Sequence, residues 1–80
     1  MPLDDPDLFL VAADHAAKVH EYFHWPAVGR QLHWRDARAK QAVESLHARK
    51  LVATRGAGET KFLPAGRQMA RRLAGEGPVA

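Results

Sequence analysis

The sequence has no cysteine and no uninterrupted apolar run near the ~18–20 residues that cross a bilayer. Without thiols there is no disulfide framework, no thiolate metal site and no cysteine nucleophile. Without a long apolar run no transmembrane helix is expected, and the acidic start Met1-Pro2-Leu3-Asp4-Asp5 is unlike the basic opening of a secretory signal. The expected address is the cytoplasm. Aromatic residues are scarce, at 8%. No glycine-rich phosphate loop, Ser-His-Asp set or paired-carboxylate pocket can be assembled, so neither an ordinary enzyme nor a cofactor is expected. What is present is 46% hydrophobic residues in a chain of 80, enough for one core. We expect one domain over residues 1–80, with 1–5 and 75–80 as flexible ends.

The net charge of +3 hides an asymmetry. Residues 1–24 carry five acids (Asp4, Asp5, Asp7, Asp14, Glu21) against Lys18, for −4, whereas the remainder carries eleven cations against four acids, for +7. A basic surface raises the local density of polyanions, of which nucleic acid is the commonest in cytoplasm.

Asp5-Pro6-Asp7 reads as a helix start, with Asp5 as cap and Pro6 in the first turn. Leu8, Val11, Ala12, Ala16, Val19 and Phe23 then recur at spacings of three and four, which predicts a first helix over 6–23, ended by Trp25 and Pro26. Val28, Gly29 and Leu32 form a short second helix. Asp36 caps a third that runs to about Lys50, with Ala39, Ala42, Val43 and Leu46 on the core face and Ala37, Gln41 and Glu44 opposite. A hairpin over 53–63 turns at Gly56–Gly58. Pro64 opens a last helix carrying Arg67, Arg71 and Leu73. The expected class is mainly α with a small β-hairpin, in the order α-α-α-β-β-α. Trp25 and Trp34 are expected at helix junctions, Tyr22 at the rim, and His15 and His33 as packing residues.

The run Val28-Gly29-x-x-Leu32-x-Trp34, then Ala39, Ala42, Val43, Leu46 and Leu51-Val52, resembles the winged helix-turn-helix of bacterial regulators, with the MarR type nearest. The segment Leu63-Pro64-Ala65-Gly66-Arg67 is similar to the stretch that follows the wing in those proteins. The resemblance covers about residues 8–74. It implies a prokaryotic transcriptional regulator that binds double-stranded DNA, with a recognition helix in the major groove and a hairpin wing on the backbone. Two features depart from the pattern. Lys50 stands where the family usually has glycine before its Leu-Val pair, and Ala37 and Gln41 stand where Ser, Thr or Arg is common. On geometry, Arg38 suits guanine and Gln41 adenine, beside Ala37 and Ser45 on the same surface, while Arg30, Arg35, Lys40, Arg55 and Lys61 suit phosphates. A homodimer through the first and last helices would double the short reading length. The alternative is a winged-helix protein-interaction module in a larger assembly.

His20-Glu21-Tyr22-Phe23-His24 spells H-E-x-x-H, which on a helix places two histidines on one zinc ion and a glutamate on its water. The H-x-x-G-x-x-H continuation is missing, since Arg30 stands six positions after His24. Zinc hydrolysis is therefore the least favoured reading, and no metal ligand is assigned.

Overall fold

Apolar stripes at helical spacing and two glycine-flanked β segments account for most of the architecture. The computed structural model describes residues 3–18, 20–56 and 58–75. Its elements are α1 (Asp5–Ala17), β1 (Tyr22–His24), α2 (Trp25–Gln31), α3 (Asp36–Ala48), β2 (Val52–Arg55), β3 (Glu59–Phe62) and α4 (Pro64–Gly75). The chain is mainly helical, with one small antiparallel sheet of order β1-β3-β2. Phe9, Leu10 and Ala13 of α1, Val28 of α2, Ala39, Ala42, Val43 and Leu46 of α3, and Val52 and Phe62 of the sheet form one buried cluster. Full burial of each large member contributes about 1.5–3 kcal/mol. The buried face of α1 is Phe9, Leu10, Ala13 and Ala17 and not the expected stripe, of which Leu8 and Ala16 are exposed and Val11 and Ala12 half-buried. The unbroken apolar run from Leu8 to Ala13 left helical spacing unable to choose between faces.

The expected order α-α-α-β-β-α lacks one strand, because the first helix is shorter than 6–23. The helix stops at Ala17, where Lys18 turns to φ 57°, and Tyr22–His24 pair with β3 as Tyr22↔Lys61, Phe23↔Thr60 and His24↔Glu59. Phe23 fits both periods. It lies four residues after Val19 in the helical stripe, yet it is also the buried middle of an exposed-buried-exposed strand. Aromatic residues favour the pleated, half-buried surface, and the strand prevails here. Val19 itself lies outside the described residues, as do residues 1–2 and 76–80 of the expected ends and Ala57 of the expected hairpin turn. Trp25 and Pro26 begin α2 rather than ending α1, with Pro26 in the first turn, where its missing amide hydrogen costs nothing. Asp5 and Asp36 are not caps. Each is the first helical residue after an N-cap, Asp4 or Arg35, that makes no side-chain capping bond. Both carboxylates still sit at the positive end of a helix dipole.

The third helix and the hairpin match their expected positions. At the end of α3 the Lys50 amide donates to the His47 carbonyl (3.0 Å) and the Leu51 amide to the Leu46 carbonyl (3.0 Å). This pair of bonds is a Schellman closure, and Lys50 occupies its left-handed position at φ 61°. Buried Leu46 and Leu51 supply the apolar contact that accompanies the motif. The resemblance puts glycine at this position, and the left-handed backbone explains why. Just beyond, the Leu63 amide donates to the Leu51 carbonyl (3.1 Å). Gly66 of α4 crosses the same carbonyl so closely that a β-carbon there would overlap it.

Two substitutions test this junction. Lys50→Gly relieves the strain of a side chain in the left-handed region, less the added freedom of glycine when unfolded. The expected gain is about 0.5–1 kcal/mol, a Tm rise of about 4 °C by calorimetry. Gly66→Ala drives a methyl into backbone that cannot swing aside, and a loss of at least about 2 kcal/mol is expected in urea unfolding.

Candidate nucleic-acid interface

The unit formed by α2, a tight turn and α3 is held by close backbone approach. A β-carbon on Gly29 would stand 2.6 Å from Ala39 Cβ, so glycine there sets how near α2 and α3 lie. The turn repeats the closure seen after α3. The His33 amide donates to the Arg30 carbonyl (3.0 Å) and the Trp34 amide to the Gly29 carbonyl (2.9 Å), with His33 at φ 62°. Trp34 then packs on Phe9 of α1 with ring centroids 6.1 Å apart, which fixes where α3 begins. His33 is thus an exposed turn residue rather than a packing one, and His15 is exposed as well.

With Ala39, Ala42, Val43 and Leu46 buried, helical periodicity turns Ala37, Gln41, Glu44 and Ala48 outward, and all four are exposed. Lys40 and His47 line the edge of this face toward the hairpin. Together with Trp25, Val43, Glu44 and Thr54 they bound a cleft of about 250 Å³. Sequence reading missed His47 and Thr54 as part of this surface. The spacing of His47, three residues after Glu44 and seven after Lys40, carried a signal for it. Thr54 carried none, because only the tertiary approach of β2 to α3 places it there.

The sequence-predicted cations separate into two sets. Arg30, near the end of α2, and Arg35, just before α3, bracket the turn; with Lys40 they are exposed and have no carboxylate partner among the described residues. On the other flank of α3, Arg38 donates two hydrogen bonds to the Asp5 carboxylate, from Nε at 2.8 Å and from a terminal nitrogen at 2.9 Å. Its guanidinium lies 4.2 Å from the centre of the Trp34 ring. Arg38 therefore points toward α1 and not across the outward face. Ser45, on that same flank, is half-buried.

The hairpin cations are also engaged. Arg55 lies 3.7 Å from Glu59 and 5.1 Å above Tyr22, with Lys61 on the same ring at 5.9 Å. Tyr22 is 37% exposed, at the rim as expected. Two further arginines reach α1. Arg49 meets Asp7 at 3.2 Å, and Arg67 meets Asp14 at 2.6 Å. Arg67 also donates to the carbonyls of Lys18 (2.8 Å) and His20 and covers the Phe62 ring. It is an internal tie at the end of α1. Arg71, by contrast, is exposed.

The H-E-x-x-H residues do not form the helix that shared metal ligation requires. His24 is on β1 and His20 precedes it, outside any helix. Residues four apart are neighbours on a helix, about 5–6 Å between β-carbons, and that adjacency is lost where the chain is not helical.

The hydrogen bonds from Arg38 hold the Asp5 carboxyl below its ordinary pKa; desolvation opposes them, and the guanidinium charge adds to them. A carboxylate with a depressed folded-state pKa stabilises fully above its unfolded value, and that contribution fades as pH falls through the folded value. Asp5→Asn is therefore expected to lower the Tm at pH 7, with the difference from the unaltered protein vanishing as pH drops below about 4. Thermal melts across pH 2–7 would show it. No protein-family model, curated protein or solved structure matches this chain.

Proposed function

We propose that the chain binds double-stranded DNA as a small winged helix-turn-helix protein, with α3 in the major groove and the β2–β3 hairpin along the flanking backbone or minor groove. The observation that carries this reading is the uncovered face of α3. No described element packs over Ala37, Lys40, Gln41 and Glu44, and β2 lies at their edge across the Trp25–Thr54 cleft. The order α1-β1-α2-α3-β2-β3-α4 gives a reading helix backed by a core and followed at once by a ribbon.

The side chains suit base edges of different kinds. Gln41 matches the donor-acceptor pair of adenine, the Ala37 methyl suits thymine, and Glu44 accepts from the amino group of cytosine. Arg30, Arg35, Lys40 and Lys61 supply phosphate contacts. So does Arg55, whose 3.7 Å approach to Glu59 is exposed and too long for a hydrogen bond and so yields to a phosphate, unlike the doubly bonded Arg38. Regulation then follows from occupancy, as bound protein blocks or recruits other machinery. Pairing of two copies through α1 and α4 would extend the site read, and Leu8 of α1, 37% exposed, is an apolar residue available for it. A second reading, a protein-docking module, draws support from Glu44, an acid at the middle of the same face that phosphates would avoid.

Fluorescence titration of a random-sequence duplex at several salt concentrations separates the two. Five phosphate contacts predict a log-log slope of about −4 to −5, and a flat response removes the DNA reading. Gln41→Ala is expected to relax preference at one base pair by about 1–3 kcal/mol, whereas Lys40→Ala weakens all duplexes alike. Selection of bound sequences from a random pool distinguishes these outcomes.

A further inference from the structure

We infer that Asp5 is a positioning residue that withholds Arg38 from nucleic acid, so that α1 supplies an internal stand-in for one DNA phosphate. The inference rests on the duplex-binding reading above and concerns the same face. Arg38 follows Ala37 directly on α3 and lies three residues before Gln41, and its side chain is 53% exposed, within easy reach of a polyanion on that helix. Two bonds to Asp5 and the Trp34 ring beneath it hold the guanidinium on the α1 flank instead. Carboxylate and phosphate compete for the same planar fork of donors, so a guanidinium that is doubly bonded to one is not available to the other.

The surroundings of the pair reinforce the arrangement. Asp5 lies in the first turn of α1, where the helix dipole favours its charge. Asp7, two residues on, pairs at 3.2 Å with Arg49, the residue that follows α3, so α1 neutralises this side of α3 at two points. The acidic segment thereby removes two cations from the set that could contact a duplex. The Asp5–Arg38 pair is half-exposed and therefore screened by salt. Removing its acid frees the arginine without disturbing the core, which neither residue enters.

The test compares the unaltered protein, Asp5→Asn, Asp5→Glu, Asp4→Asn and the double variant Asp5→Asn/Arg38→Ala, each titrated with a labelled random-sequence duplex over a fourfold range of salt. Circular dichroism confirms that all five are folded. Asp5→Asn is expected to bind more tightly at low salt and to steepen the log-log slope by about 0.9, so that the fourfold rise in salt costs it about 3.5-fold more affinity than it costs the unaltered protein. Asp5→Glu keeps the carboxylate and the original slope. The double variant loses the gain. An unchanged slope in Asp5→Asn overturns the inference. So does a gain that survives in the double variant, which lacks Arg38 and has the net charge of the unaltered protein, and so does an equal gain in Asp4→Asn, which adds the same charge beside the pair without releasing Arg38. Failure of all five proteins to bind duplex removes the parent reading along with it, whereas binding by the unaltered protein with no change in Asp5→Asn removes this inference alone.

Discussion

The contact on which the arrangement depends is the packing of Phe9. Its fully buried ring meets Trp34 at 6.1 Å and Phe23 at 6.2 Å, and Phe23 in turn meets Phe62 at 4.8 Å. One side chain of α1 thus joins the start of α3 to the first and middle strands of the sheet. With few aromatic residues in the chain, the core has little redundancy at this point. The orientation of α3 relative to the ribbon follows from that junction and from the near contact of Gly29 with Ala39. Both constraints lie behind the exposed face of α3, so the face is held from within and left open from without.

The second organising feature is electrostatic. The sequence divides into an acidic start and a basic remainder, and the fold brings the two together: Asp5, Asp7 and Asp14 each engage an arginine from the basic part, on α3, just beyond it and on α4 respectively. Such surface pairs each contribute little to stability. Their larger effect is on where positive charge remains. Arg30, Arg35 and Lys40 keep theirs on the side of the turn and the cleft, and the α1 side of α3 is neutralised. A uniformly basic domain of this size would attract polyanions from any direction, whereas this one has a preferred side.

Much of this was legible in the sequence, for reasons that differ by element. The two faces of α3 follow from four apolar residues at spacings that only a helix reconciles, and the hairpin follows from glycines between two β-prone segments. The short strand β1 was not legible, because Phe23 satisfies the helical and the extended period equally and only its pairing with Thr60 decides between them. Trp25-Pro26 was ambiguous in the same way, since proline both ends one helix and opens the next. At the candidate site, the exposure of Ala37, Lys40 and Gln41 followed from periodicity. The capture of Arg38 did not, because its partner is 33 residues away and no local pattern encodes that meeting. The departure at Lys50 was visible as a residue type, but its meaning required the backbone angle.

The central claim is that the outward face of α3 and the adjoining hairpin form the surface that meets a duplex. Residue-resolved NMR shift mapping during a titration with duplex DNA tests it most directly. The account predicts that the largest changes fall on the amides of Ala37, Lys40, Gln41, Glu44 and Thr54, with Asp14 and Ala70 on the α1–α4 side unmoved. Changes concentrated on α1 and α4, or a spectrum that does not respond to DNA at all, would contradict it.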